Sequence, residues 1–465
     1  MPEIDSESST QAKFSKATAL LKQLLEVPSL RAVLELDECS NAAQVYTHLP
    51  TLWLLVVQRL GGGLTLDQAV CELLRHHRDL LPNNKRVREG KLSENNSGYS
   101  RSRQNLALAR IQAFSTAVSN HLASLSPPAF LDRQVHIIDG TTITFRPTPE
   151  LKKRFPPATN QHGESVWPVA YLAVTHELRS GCAAVPQVAP MYGPEKRSEL
   201  SLAKDAVDLL PPNSILLADS AYGIFSFAYH CVQRKTPFLF RLTQQRFKAL
   251  VKSANLVEQS GENRTYHLVW NPSRKDRKKN PTLPEAAKIE VFLHQAYLPN
   301  GNDINLVTTL EVDLASAVNL YQERYKVEFD IRDLKVTMAT EKILAKSYDT
   351  VMKELLGSVL AYNLVVQFRR QAATRVNLQP RELSFQGVWT TFQYFLLQRD
   401  VMSYQQWVAT YEDALKMASR RKLPQRKSPR SSPRVAHQRS PKSASFKPTS
   451  KKKKAEPSGE KEDSS

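Results

Sequence analysis

Two aspartates in this sequence each follow a short apolar run of the kind that forms a buried strand. Asp139 follows the run VHII, and Asp219 follows SILLA. An acid at the carboxyl edge of a buried strand lies at the sheet surface, where α/β folds bind ligands. Carboxylates are hard oxygen ligands of the kind that Mg²⁺ and Mn²⁺ prefer. Aspartate before glycine or serine is also a common turn residue, so a structural role stays open for each one alone.

A third acid, Glu328, lies in a segment with helical periodicity, YQERYKVEFDIRDLKV. At about 100° per residue, Tyr321, Arg324, Glu328 and Lys335 fall within an arc of about 60°. This polar stripe borders a predicted core stripe of Leu320, Val327, Ile331 and Leu334. The predicted solvent side holds Gln322, Lys326, Asp330 and Asp333. Charged groups beside a buried face need partners or a ligand, but a helix laced with its own ion pairs fits the pattern equally well.

The spacing Tyr-x2-Arg-x3-Glu-x6-Lys resembles the YREK signature of bacterial insertion-sequence transposases with a DDE triad, of the insertion-sequence-four type. The segments IIDGTT and LLADSAYG are similar to the strands that carry the two aspartates in that family. LVTTL and KELLGSVLAYNLV also look like family segments, so the resemblance covers roughly residues 130–370. One departure is Ser220-Ala221-Tyr222, where the family often has a basic or glycine residue.

The resemblance implies a catalytic triad of Asp139, Asp219 and Glu328 that holds two Mg²⁺ or Mn²⁺ ions. In such a site the metals serve successive displacements at phosphorus, with water and then a DNA 3′-OH as nucleophile. Arg324 would grip a phosphate, Lys335 would supply a point charge and Tyr321 a hydroxyl. No covalent enzyme intermediate is expected.

The function predicted from the resemblance is cut-and-paste DNA transposition. The partners would be the terminal inverted repeats of the element and target DNA, bound by a homodimer. Two alternatives stay open: a non-catalytic DNA-binding protein derived from a transposase, and a nuclease without strand transfer. A purely binding role places no demand on three acids, so the intact triad favours the enzyme.

The fold class predicted for the chain is α/β, with an RNase H-like mixed sheet and a β-rich insertion. A helical N-terminal domain would precede the core and a disordered basic tail would follow it. The predicted boundaries are 1–126 for the helical domain, 127–243 and 305–375 for the core, 244–304 for the insertion, 376–419 for C-terminal helices and 420–465 for the tail.

Three local patterns lead to further expectations. VHIIDGTTITF has β-rich runs on both sides of Asp139-Gly140, which is typical of a hairpin turn. The segment from Leu314 to about Gln371 reads as one long helical run. Trp270 precedes Asn-Pro in the insertion, so it is predicted either at a loop tip, stacked on a DNA base, or packed on the insertion's own small sheet.

The charge balance points to a polyanionic partner. The 465 residues carry a net charge of +19, which favours nucleic acid. Fifteen Lys and Arg but only four Asp and Glu lie from residue 420 onward, a net charge of +11. Ser-Pro pairs flanked by basic residues there resemble histone-type repeats, although a generic cationic tail fits as well. Residues 83–103 form a second basic stretch, either a solvated loop and helix face or a DNA-contacting surface.

The expected compartment is the bacterial cytoplasm, in association with the nucleoid. The four cysteines are far apart and show neither disulfide nor zinc-ligand spacing, which fits a reducing environment. The acidic, polar N-terminus does not resemble a signal peptide. No stretch of 18 apolar residues occurs in the sequence, so no membrane span is expected.

Overall fold

A nine-stranded mixed sheet runs through the middle of the chain, in the order β6-β5-β2-β7-β8-β12-β11-β10-β9. The structure, a computed structural model, describes residues 13–14, 30, 43–160, 163–297, 303–397 and 402–424. The described strands are β1 (Lys13–Phe14), β2 (Gln134–Thr144), β3 (Thr159–Asn160), β4 (Gly163–Glu164), β5 (Val169–Glu177), β6 (Gln187–Pro190), β7 (Ser214–Ala218), β8 (Phe238–Arg241), β9 (Asn255–Ser260), β10 (Asn263–Trp270), β11 (Ile289–Tyr297), β12 (Asp303–Thr308) and β13 (Met402–Ser403).

Strand directions divide the sheet into a parallel centre and antiparallel flanks. Strand β2 pairs parallel with β7, and β7 pairs parallel with β8. The remaining pairs in this sheet are antiparallel. All five residues of β7 are buried, as a continuous apolar run in a central parallel strand should be. The prediction of a mixed α/β fold is confirmed.

Helices pack beside the sheet and also form a second core. The described α-helices are α1 (His48–Leu60), α2 (Leu66–His76), α3 (Lys85–Arg88), α4 (Ser97–Asn105), α5 (Leu108–Ser124), α6 (Pro149–Arg154), α7 (Glu199–Asp208), α8 (Phe225–Gln233), α9 (Gln244–Val251), α10 (Arg274–Lys279), α11 (Leu314–Gln322), α12 (Lys326–Arg332), α13 (Tyr348–Thr374), α14 (Phe385–Leu397) and α15 (Tyr404–Ser419). Helix α13 lies at the centre of the helical core, where α1, α5, α14 and α15 contact it.

The central helix α13 is the one described helix that is long and apolar enough to cross a membrane. Its most apolar window is 94% buried inside the protein, which is how the central helix of a helical core behaves. The described residues up to Leu423 belong to one compact unit. The domain boundaries predicted within it stay predictions, and the predicted disordered tail lies outside the described residues apart from 420–424.

The predicted hairpin at Asp139-Gly140 is wrong. Strand β2 continues through both residues and pairs with β5 along nine of its 11 residues, from His136 opposite Glu177 to Thr144 opposite Val169. Gly140 is instead a point at which side chains of neighbouring elements approach the strand closely. The Asp-Gly signal therefore marks a crowded point in a strand instead of a turn.

The predicted continuous helix from Leu314 to Gln371 is also wrong. A 3₁₀ turn at Glu323–Tyr325 separates α11 from α12, and a π-helical turn at Asp333–Thr337 ends α12.

Asp330 and Asp333 are buried instead of facing solvent. For Asp330 the reason is a partner distant in sequence, because both terminal guanidinium nitrogens of Arg381 donate to its carboxylate, at 2.7 and 2.6 Å.

The insertion segment 244–304 contributes strands to the main sheet. Strands β9, β10 and β11 form an antiparallel meander, and β12 joins it to β8. The expectation that these strands form a small sheet of their own is wrong, because backbone pairing between Leu306 and Arg241 makes the sheet continuous.

Candidate active site

Asp139 lies on β2, and Asp219 follows directly after the last residue of the neighbouring parallel strand β7. Ile137 of β2 pairs with Leu217 of β7, and each aspartate is two residues further along the chain. Because side chains alternate with a period of two, both carboxylates lie on the same side of the sheet. The sequence predicted that each aspartate follows a buried strand, and the family resemblance implied that the two act together.

Asp139 is half-buried, and its carboxyl group holds a proton more tightly than usual. Burial raises the pKa of Asp139 to about 6, and the negative charge of Asp219 adds to this. The Gly140 N–H donates to Asp139 Oδ1 at 2.8 Å and works in the opposite direction. Asp219 Oδ1 accepts from the Ala221 N–H at 2.8 Å. These backbone donors orient both carboxylates.

The helical segment with the predicted polar stripe packs against β2, the strand that carries Asp139. Lys335 Nζ donates to Oγ1 of Thr141 at 3.3 Å. Thr141 lies two residues after Asp139 on β2. The Arg324 guanidinium is 3.3 Å from Glu328 Oε1 and is also attracted by the Asp139 carboxylate. Tyr321 is buried, and burial raises its pKa to about 12. The four stripe residues thus lie along the same edge as the two aspartates.

The three predicted triad acids are not drawn together to the same degree. Glu328 keeps 41% of its side chain exposed and engages Arg324. Within the described ranges, no three His, Cys, Asp or Glu side chains converge closely enough to hold a metal ion. The donors are nonetheless all carboxylate oxygens, so their chemistry fits Mg²⁺ or Mn²⁺ and does not fit a metal that prefers sulfur or imidazole.

A group that sequence reasoning missed lies directly beside Asp139. Glu199, the first residue of α7, accepts a hydrogen bond from the Tyr222 hydroxyl at 2.5 Å and another from Tyr171. A Cβ atom at Gly140 would come within 2.5 Å of Glu199 Oε1 and 2.8 Å of the Tyr171 hydroxyl. The sequence features that could have indicated this contact were Gly140, directly after Asp139, and Tyr222, three residues after Asp219.

Trp270 does not occupy an exposed loop tip. It is only 6% exposed, at the end of β10, and its ring packs edge-on against Phe225 at 5.6 Å between centroids. The predicted loop-tip position is therefore wrong. Packing was the alternative expectation, but it occurs against α8 of the main body and not within a separate small sheet.

The basic stretch 83–103 contains both half-buried and exposed basic residues. Arg103 donates to Glu354 Oε1 at 2.9 Å, and Arg59 donates to the other oxygen of the same carboxylate at 2.9 Å. Arg103 is thus held within the protein by an ion pair. The side chain of Lys85, by contrast, is 81% exposed, so part of this stretch has the solvated character expected of a surface.

Comparison with known proteins identifies the family. The family model described as "Transposase DDE domain" matches residues 131–364. A curated relative, the transposase InsG for insertion sequence element IS4 of Escherichia coli (strain K12), is 25% identical over 261 residues, 53% of this chain. That match spans about half of the relative's length, 55%.

A solved structure of the piggyBac transposase synaptic complex with hairpin DNA aligns with a TM-score of 0.40 and 9% identity. That alignment covers 87% of this chain and 86% of the other. Because the family model covers half of the chain, including both aspartate strands and the Glu328 helix, the chain belongs to the transposase DDE domain family.

Proposed function

We propose that this protein is a DNA transposase that cuts the ends of its own element and joins them to target DNA. The observation that carries the proposal is the pair of carboxylates on neighbouring parallel strands, with the Glu328 helix packed on the same strand as Asp139. This constellation lies inside the region matched by the family model.

In the proposed site, Asp139, Asp219 and Glu328 would hold the Mg²⁺ or Mn²⁺ ions. Such ions, when bound, activate the attacking oxygen and stabilise the leaving oxygen of an in-line displacement at phosphorus. Burial, together with the charge of Asp219, raises the pKa of Asp139, and a bound cation would offset both effects by stabilising the ionised carboxylates. Glu328 would join the two aspartates by a change of side-chain conformation.

Arg324 and Lys335 are proposed to bind the scissile region of the DNA backbone. The Arg324 guanidinium has carboxylate partners in the free protein, and a planar fork of this kind also suits bidentate phosphate contact. Lys335 is half-buried beside Thr141 and would act as a point charge. Tyr321 is proposed to support Arg324, because it is buried next to it.

Several broader features are proposed on the same basis. The order β6-β5-β2-β7-β8, in which three antiparallel strands continue into parallel ones, supports the RNase H-like core that the family resemblance implies. We also propose that the partners are terminal inverted repeats and target DNA, that the active species is a homodimer, and that it acts on the nucleoid in the bacterial cytoplasm.

A reconstituted reaction tests the proposal. The full chain is incubated with Mg²⁺, a linear DNA that carries the sequences flanking its gene, and a target plasmid. Transposition predicts nicks at the element boundary followed by covalent joining of the new 3′-OH ends to the plasmid, with neither product in excess chelator. Nicks without joining would identify a nuclease. Specific binding without nicks would identify a non-catalytic derivative.

A further inference from the structure

We propose that Glu199 is a positioning residue that holds the Asp139 and Asp219 segments in register through hydrogen bonds from Tyr171 and Tyr222. The inference rests on the proposed function, because it gives Glu199 the role of positioning the same two carboxylates. It rests on contacts for its evidence, since Glu199 contacts residues from both segments. Glu199 itself would touch neither the metal nor DNA.

The first contact joins Glu199 to the strand of Asp139. Gly140 leaves no room for a side chain, because an added Cβ would be 2.5 Å from Glu199 Oε1 and 2.9 Å from Glu199 Cδ. Real Cβ contacts are not this short, so a side chain at position 140 would force the Glu199 carboxylate to shift from its present place. The adjoining Gly140 N–H is the group that orients the Asp139 carboxylate. A shift of Glu199 would therefore move Gly140 and, through the backbone, the neighbouring Asp139.

The second contact joins Glu199 to the turn after Asp219. Tyr222 is fully buried, and its hydroxyl donates to Glu199 Oε1 at 2.5 Å. The backbone N–H of the same Tyr222 donates to the Asp219 carbonyl at 3.2 Å. The tyrosine is thus fixed at both ends, one at the aspartate and one at Glu199, so it transmits the position of α7 to this turn.

The third contact comes from the neighbouring strand. Tyr171 lies on β5 opposite Thr142 of β2, and its hydroxyl hydrogen-bonds to Glu199. The glutamate side chain therefore receives donors from β5 and from the turn after β7, on either side of the strand that carries Asp139. Both donors are neutral hydroxyls, so the arrangement requires a hydrogen-bond acceptor at position 199.

This distinction between acceptor and charge makes the role testable. Glu199→Gln keeps a carbonyl oxygen for the tyrosine hydroxyls, whereas Glu199→Ala removes the acceptor. Tyr222→Phe removes one donor and leaves Glu199 in place. Asp205→Ala is the matched control, because it removes an acidic side chain from the same helix whose partner is Arg197 at the surface. Partners that orient a metal ligand typically contribute about 10–100-fold to metal affinity.

The first measurement is calorimetric titration of the full-length, metal-free protein with Mn²⁺, with circular dichroism to verify folding. We expect Glu199→Ala and Tyr222→Phe to weaken Mn²⁺ binding by about 10–100-fold, and Glu199→Gln and Asp205→Ala to retain wild-type affinity. Equal loss in Glu199→Gln and Glu199→Ala would overturn the positioning role, because the charge itself would then be needed. Wild-type affinity in Glu199→Ala would overturn it as well.

The second measurement is a double-mutant cycle between Gly140→Ala and Glu199→Ala, read by urea unfolding. Gly140→Ala should destabilise the wild-type chain and cost less in the Glu199→Ala background. The carboxylate is then gone, and only the Tyr171 hydroxyl, 2.8 Å from the added Cβ, still collides. Additive effects would contradict the contact between them. Neither measurement uses DNA. Absence of DNA cleavage by the wild-type protein would therefore count against the proposed function, whereas the positioning role is decided by these two measurements alone.

Discussion

Arg381→Ala should strongly destabilise the protein, because it leaves a buried carboxylate without its main partner. Both nitrogens of the Arg381 fork donate to Asp330, whose side chain is 2% exposed. The pair joins α12, the helix that carries Glu328, to the segment after α13. The arginine also donates to the Leu178 carbonyl at 2.6 Å, so its loss removes more than one buried hydrogen bond.

The expected cost is about 3 kcal/mol. Removing one partner of a buried ion pair costs about 3–5 kcal/mol, because the remaining charge is uncompensated. The lower end applies here, since the positive charge of Arg369 also acts on Asp330 and stays in the variant. Replacing both partners with apolar residues, as in Asp330→Leu with Arg381→Met, should cost much less than Arg381→Ala.

Urea unfolding followed by circular dichroism measures this cost, and the chain offers a matched control. Arg197 and Asp205 form a pair with the same closest distance, 2.6 Å, but their side chains are 39% and 40% exposed. Arg197→Ala should cost about 0–1 kcal/mol, because water screens an exposed pair. If Arg381→Ala costs no more than Arg197→Ala, the reasoning from burial is refuted.

Three further predictions concern acid stability, packing and the tail. Burial lowers the pKa of His136 to about 4, so the unfolded chain takes up a proton near pH 6.5 while the folded chain does not. The free energy of unfolding should therefore fall between pH 6.5 and 4, by up to about 3 kcal/mol from this residue. His136→Leu should flatten the dependence of the urea midpoint on pH over that window. Trp270→Ala should cost about 3–5 kcal/mol in urea unfolding, because it opens a cavity beside Phe225; an unaffected midpoint would contradict the packing. Truncation after Pro424 should leave the unfolding midpoint unchanged and make the salt dependence of non-specific DNA binding shallower; an unchanged slope would show that the tail does not contact DNA.

Local sequence patterns correctly predicted the elements whose structure depends mainly on their own residues. The run SILLA predicted a buried strand and is one, β7, with Asp219 directly after it. The alternation of strands and helices predicted a mixed sheet, which the strand pairing confirms. Helical periodicity put Arg324 and Lys335 on one stripe, and the family resemblance implied that this stripe lies near Asp139, as the contact between Lys335 and Thr141 supports.

The errors have a common physical cause, namely partners distant in sequence. Asp139-Gly140 has the local chemistry of a turn, but the glycine lies in a strand against Glu199, about sixty residues later in the chain. Asp330 has the periodicity of a solvent-facing residue, but Arg381 covers it. Trp270 precedes a turn-like Asn-Pro, yet it packs on Phe225. No window of a few residues contains this information.

The most direct test of the proposed triad is cleavage by three amide variants, Asp139→Asn, Asp219→Asn and Glu328→Gln, on end-labelled DNA that carries the element boundary. The side chains keep their size but lose the charge that a divalent cation requires. Each variant should bind the labelled DNA as tightly as the wild-type protein and show no nicking in Mg²⁺. A variant that nicks at near the wild-type rate would contradict the triad assignment.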